Sequence, residues 1–353
     1  MEIDWKNVRK ILVVRLRSIG DTVLSTPSLI ALRRFLPDAQ IDILLEDWVA
    51  PVLDGFEQVD NVLTVSKDFK SRVKLARNIR KTKYDVAFNL HGGTTASFFV
   101  RASGAKHRVG YQNYQYGFLY NRKLSSAADF WNQETTHSAE QQLALLGFVG
   151  VPVKDRPKTL LNILESAEHS IEAKIKSQNS DLESKIALIH PVAAFDTKQW
   201  ATANFAKIAE FLHEKGFQAV AIATRNESDV LQDLKRFSSA PVLTFDDLTL
   251  PEITALAARS EIFIGNDSGI AHIAAAVQTP SVVIFGSSNR EHWRPWTDVP
   301  HEIVFEEFDC QPCAGYFCKE FDEPKCILSV KIESVTAALE MVLVDKVVTE
   351  KVK

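Results

Sequence analysis

Short runs of aliphatic and β-branched residues recur along this chain, each ending in a polar or glycine turn and each followed by a segment of helical spacing. The first half contains "KILVVRL" (10–16), "QIDILLE", "DNVLTVS", "YDVAFNLHGG" and "HRVGY", with "TVLSTPSLIALRRFLP" and "HSAEQQLALLGFVGV" reading as helices. The second half repeats the pattern with "KIALIHPVA", "QAVAIATRN", "PVLTF", "EIFIGNDSG" and "PSVVIFGSS", interleaved with "TANFAKIAEFLHEKG", "LPEITALAARS" and "IAHIAAAVQ". Apolar strands that alternate with amphipathic helices predict α/β units with doubly wound parallel sheets and helices on both faces. Between the two series, residues 154–184 are charged and Ser-rich, with one helical stretch and no strand candidate. That is the natural boundary, and 353 residues accommodate two domains of about 150 each. The expected layout is therefore a Rossmann-like domain over 1–165, a second over 185–330, and a C-terminal helix over 331–353 packing back towards the first. Two such domains facing each other leave a cleft at the carboxyl ends of their strands, where these folds take ligands.

The charge is unevenly shared. Residues 1–150 carry 20 Lys+Arg against 15 Asp+Glu, and the remainder 21 against 30. Much of the excess lies in "KDFKSRVKLARNIRKTKYD", where Lys70, Lys74, Arg77 and Lys81 recur at helical spacing. Such a face suits a phosphorylated or membrane-surface substrate, or simply stays wet. No apolar run approaches the roughly 18 residues of a membrane span, so a cytoplasmic protein is expected.

One stretch concentrates chemistry: "GNDSGIAHIAAAVQTPSVVIFGSS" (265–288) is a strand, a polar turn, a helix of small residues, and a second strand ending in glycine. A helix N-terminus offers unpaired amides and a positive dipole end, and Ser268 and Gly269 leave that entrance uncluttered, which predicts a site for a diphosphate. Asp267 would repel a phosphate, so it either accepts from sugar hydroxyls or caps the helix. His272, one turn in, is either a core histidine or a donor to the phosphates. In "HPVAAFDTKQW", Lys198 follows a strand where it would offset the charge of a leaving diphosphate, while Trp200 packs the loop down. Glu227, after the next strand, is a candidate acceptor for ribose hydroxyls. In the first half, Gly20 turns "RSIGDTVLSTP", and Asp21 follows the first strand as either a helix cap or a general base.

All four cysteines, Cys310, Cys313, Cys318 and Cys326, fall in "CQPCAGYFCKEFDEPKC". The spacing leaves open a zinc site, although the seven residues before the last cysteine are long for a compact tetrahedral centre; unligated thiols in a surface loop are the alternative.

Taken in order, "RSIGDTVLSTP", "YDVAFNLHGG", "HRVGY", "DTKQW", "GNDSGIAHIAAAVQTPSVVIFG" and "CQPCAGYFC" resemble glycosyltransferase family 9, the heptosyltransferases of the lipopolysaccharide inner core. The resemblance implies a GT-B fold, with an acceptor-binding first domain and a donor-binding second domain. It implies an inverting, metal-independent transferase that moves heptose from ADP-L-glycero-D-manno-heptose to Kdo-lipid A or a heptosylated core. Asp21 matches the family's base; Lys198, Glu227, Asp267, Ser268, Gly269 and His272 match its donor site. No cofactor and no nucleic-acid partner is implied, and the acceptor leaves room for a peripheral contact with the cytoplasmic face of the inner membrane. Rival expectations are a transferase or epimerase using another nucleotide sugar, and a non-catalytic nucleotide-sugar-binding protein.

Overall fold

A computed structural model describes residues 2–178, 183–313 and 315–352, with the side chains of 347–352 excepted. The chain divides into two compact units, Met1–Asn162 and Ile163–Lys353.

The first unit holds a parallel sheet of β1 (Lys10–Leu16), β2 (Gln40–Glu46), β3 (Asn61–Val65), β4 (Val86–Asn89), β5 (His107–Tyr111) and β6 (Arg122–Leu124), in the order β3-β2-β1-β4-β5-β6. β1 buries all but its first residue, as a strand covered on both faces must, and its residues Leu12, Val14 and Leu16 join Leu44, Ala87, Phe99 and Val100 in one core. The segment after β1 forms two helices, Ile19–Val23 and Thr26–Phe35, where the spacing suggested one. Pro27 in the first turn of the second helix cannot donate to the turn before it, so the chain restarts there.

The second unit repeats the plan with β7 (Lys185–His190), β8 (Phe217–Ile222), β9 (Val242–Phe245), β10 (Ile262–Asn266), β11 (Ser281–Phe285) and β12 (His301–Phe305), in the order β12-β11-β10-β7-β8-β9. Each sheet thus reverses its winding once, between β1 and β4 in the first and between β7 and β10 in the second. At such a reversal the outgoing connections diverge to opposite faces, leaving a crevice at the carboxyl ends.

Two expectations about the second unit need amending. Its start at Ile163 takes in the helix Glu165–Ser177, which buries Ala167, Ile171 and Ile175 and packs on the helix Leu250–Arg259. Ser170 Oγ donates to Glu252 at 2.6 Å, and Lys174 lies 3.2 Å from the same carboxylate. The charged stretch is therefore part of the unit up to this helix; residues 179–182 lie outside the described ones. The C-terminal helix Ile332–Val352 was expected to turn towards the first unit. Its Val335, Ala338, Leu339 and Val342, spaced along one face, sit in the core of the second, against β11, β12 and the helix Thr202–Glu214.

Candidate functional site

In the second unit the reversal point brings together the loop after β7 and the turn after β10. Lys198, closing a short 3-10 turn in that loop, pairs with Asp267 at 2.7 Å, and Ser288 Oγ donates to the same carboxylate oxygen at 2.5 Å. Asp267 is 5% exposed and Lys198 21%. A carboxylate so enclosed requires a counter-charge, and Lys198 supplies it. The cap position of the helix Gly269–Ala276 belongs to Ser268, not Asp267, which removes the cap reading of the aspartate. Ser268 itself makes no side-chain cap bond; its hydroxyl pairs with His190 Nδ1 at 3.1 Å. Among the described residues no side chain caps the first-turn amides of this helix, the arrangement that receives an anion.

His190 and His272 flank the turn, and burial pulls both imidazoles down to about 4, with Lys198 adding to the effect on His272 while Asp267 opposes it. Both are neutral at pH 7, so positive potential here comes from Lys198 and the helix dipole. Among the described residues His272 Nδ1 and Asn266 Nδ2, both buried, have no hydrogen-bond partner. Asn266 Oδ1 accepts from the backbone N–H of Trp200 at 3.0 Å, and the fully buried Trp200 indole donates to the Val330 carbonyl, so Trp200 anchors the loop as expected.

The "FGSS" turn after β11 is laced to the Lys198 loop. Ser287 N donates to the Thr197 carbonyl at 3.1 Å, and Ser287 Oγ to Thr197 Oγ1 at 2.9 Å. Gly286 lies so close that a Cβ there would stand 2.1 Å from the Thr197 carbonyl oxygen. The cysteine loop braces the same turn: Gln311 Nε2 donates to the Gly286 carbonyl at 2.6 Å, and Cys313 N to that of Ser287 at 2.9 Å. Cys310, Cys313, Cys318 and Cys326 are free thiols, and among the described residues no three His, Cys, Asp or Glu side chains form a metal-binding group. Burial pushes the Cys313 and Cys326 thiols up, keeping them protonated at neutral pH.

Glu227 is engaged locally. Its Oε2 accepts from Thr224 N at 3.1 Å and Thr224 Oγ1 at 2.6 Å, closing a capping box after β8.

In the first unit, Leu16 at the end of β1 adopts a left-handed φ of 55°, where the register with β2 slips between Val14 and Leu16. Beyond it Asp21 occupies the third position of the helix Ile19–Val23. Its Oδ2 accepts from Ser18 N at 3.2 Å and Ser18 Oγ at 2.9 Å, so the cap reading of this residue holds as geometry. The side chain nevertheless remains 21% exposed. Its Oδ1 pairs with Arg15, which is buried and whose guanidinium burial pulls down to about 10. Across the reversal point, Asn89 Oδ1 accepts from the amides of His91 and Gly92, both at 2.9 Å, shaping the loop after β4. His91 is pulled down to about 4 by burial and then by the charges of Arg15 and Arg17, and its Nδ1 has no partner among the described residues.

Lys70, Lys74, Arg77 and Lys81 all lie exposed on the helix Phe69–Thr82, whose Ile79 faces the core. No ion pair engages any of the four among the described residues.

Reading the sequence missed Arg15, His91, His190 and Ser288. An arginine inside the apolar run "ILVVRL" and a histidine before a glycine pair in "NLHGG" were the available signals for the first two. His190 looked like the end of a strand.

The family model for glycosyltransferase family 9 (heptosyltransferase) matches residues 72–322. Lipopolysaccharide heptosyltransferase 3 of Escherichia coli (strain K12) is 27% identical over 342 residues, 93% of this chain and 96% of its own. Among solved structures, a family 9 glycosyl transferase from Veillonella parvula DSM 2008 aligns with a TM-score of 0.83 at 21% identity, covering 98% of this chain and 99% of its own. The E. coli ADP-heptose lps heptosyltransferase II aligns with a TM-score of 0.79 at 19% identity, covering 96% and 99%. These neighbours share the two-domain GT-B fold expected above. The match runs from the basic helix of the first unit into the cysteine loop of the second, and with most of its length so accounted for, the protein is a glycosyltransferase belonging to family 9.

Proposed function

We propose that this chain transfers heptose from ADP-L-glycero-D-manno-heptose to an anionic acceptor of the lipopolysaccharide inner core, with inversion at the anomeric carbon and without a metal. The observation that carries the reading is the group of Lys198, Asp267 and the uncapped helix at Ser268, a preorganised positive site suited to a departing diphosphate. Relatives named as heptosyltransferases support the choice of sugar, and the E. coli neighbour whose name includes ADP-heptose supports the nucleotide.

In this reaction Asp21 accepts the proton of an acceptor hydroxyl as its oxygen forms a bond to the anomeric carbon. The bond from that carbon to the diphosphate breaks on the opposite face, its electrons passing to the phosphate oxygen. Lys198 and the helix amides stabilise the charge that appears there. Asp267, already paired with Lys198, is assigned to a sugar hydroxyl and Glu227 to the ribose. His272 contributes an N–H rather than a charge. Orientation of both substrates is worth as much as about 7–11 kcal/mol of the barrier. The exposed basic helix with Lys70, Lys74, Arg77 and Lys81 is assigned to the acceptor's anionic groups and to a peripheral contact with an anionic membrane. Among the described residues no helix is long and apolar enough to cross a membrane.

The test is incubation with ADP-heptose and deacylated Kdo-lipid A, followed by mass spectrometry for the gain of one heptose, NMR of the new linkage for its anomeric configuration, and a parallel reaction in EDTA. Transfer from UDP- or GDP-sugars in place of ADP-heptose would reassign the donor. Activity abolished by EDTA and restored by a divalent ion would overturn metal independence.

A further inference from the structure

Arg15 sits in the middle of an otherwise apolar strand end, buried, where an arginine is costly unless every donor it presents is used. Its bonds converge on one residue. Nε donates to the backbone carbonyl of Asp21 at 3.2 Å, and Nη2 donates to the Asp21 carboxylate at Oδ1. Nη1 donates to the Leu90 carbonyl at 2.6 Å, in the loop that leaves β4 on the other side of the reversal point. One rigid, planar group thereby holds both the main chain and the side chain of Asp21 and anchors them to the neighbouring strand's exit.

We propose that Arg15 is the positioning residue for Asp21, fixing its carboxylate so that Oδ2 is the oxygen that receives the acceptor's proton. The inference rests on the reading of Asp21 as the base. Oδ1 is committed to a guanidinium that cannot rotate away, because its Nε and Nη1 are tied to two carbonyls. Among the described residues Oδ2 is held only by Ser18, whose hydroxyl can turn to another acceptor and whose amide contact is long at 3.2 Å. The acceptor's O–H proton passes to Oδ2 and its oxygen gains the bond to carbon, while Arg15 keeps its own protons throughout. The other charged or titratable groups of this neighbourhood are Arg17 and Glu46, which act on His91, His91 itself, and Tyr114, which acts on Arg15. None of these is hydrogen-bonded to the Asp21 carboxylate.

A role in positioning predicts a loss of turnover that is separate from binding and that vanishes when Asp21 is already gone. In the full chain, Arg15→Met is expected to lower kcat by about 10²-fold, the scale of a 1 Å misplacement, with the KM for donor and the Kd for ADP little changed. Arg15→Lys, which keeps a charge in the same space but cannot make the forked contact, is expected to lower kcat as well while unfolding near the wild-type temperature. Millimolar guanidinium is expected to restore part of the turnover of Arg15→Ala. The double variant Arg15→Met with Asp21→Asn should be no slower than Asp21→Asn alone. Should Asp21→Asn be inactive while the folded Arg15→Lys and Arg15→Met turn over like wild type, or should the two losses simply add, the positioning role is overturned. An active Asp21→Asn instead removes the base itself, a distinct result. If Arg15→Met does not fold, Arg15→Lys and the guanidinium rescue still decide the matter.

Discussion

Lys198 and Asp267 define each other. A carboxylate next to a phosphate site looks unfavourable until its partner is seen at 2.7 Å, where the ammonium both neutralises it and remains 21% exposed to meet an anion. Removing one partner of so enclosed a pair strands the other. Lys198→Met is therefore expected to lower kcat/KM by about 10²–10³-fold and to cost about 3–5 kcal/mol of stability, read by transfer assays and urea unfolding. Adding Asp267→Asn should restore most of the stability and none of the activity. In sequence both residues could be picked out, since each follows a strand. Their partnership could not, because an aspartate before a helix looks like a cap and only the fold shows Ser268 in that place. Glu227 was visible for the same reason, and the structure shows it bonded to Thr224. His190 gave no signal: a histidine ending an apolar run shows its importance only when its ring meets Ser268 across two strands.

Elements set how these loops approach. The turn after β11 reaches the Lys198 loop only because residue 286 lacks a side chain. Gly286→Ala should push Thr197 aside, lower the unfolding free energy by about 1–3 kcal/mol, and weaken ADP binding, measurable by calorimetry on the same sample. On the first unit, reversing Lys70, Lys74, Arg77 and Lys81 to Glu should raise the acceptor KM and remove its salt dependence, while leaving the ADP Kd as it was. That helix was legible because exposed charges at helical spacing survive into the fold unchanged. β6 and β12 were not. β6 is three residues opening with Arg and Lys, and β12 opens with His and Glu, so neither offers the apolar run by which an interior strand is recognised. The helix at Glu165–Ser177 could be seen, but its attachment to the second unit depended on pairing with Glu252, far along the chain.

At the scale of the whole molecule, buried neutral histidines link folding to acidity. His190 and His272 stand near 4 when folded and at the ordinary value of about 6.5 when unfolded, so on acidification the unfolded chain takes up protons first. Stability should be full above pH 6.5 and fall towards pH 4, by up to about 1.4 kcal/mol per pH unit for each histidine. Denaturant melts at pH 7.5, 6 and 5 check this, and His190→Asn should show a shallower decline; an unchanged profile would remove His190 as a cause. The two-domain plan was legible in the repeated alternation of strands and helices. The docking of the last helix was not, since its apolar residues say that it packs without saying on which sheet.

Both sheets are wound in the same order and reverse at the same point, yet the two crevices carry different furniture: an aspartate gripped by an arginine in one, a lysine and bare helix amides in the other. Specialisation of this kind frees each half to diverge at its own pace. On the proposed division of labour, a lineage can rewrite the rims of the first to extend a new glycan while the second keeps its one activated sugar.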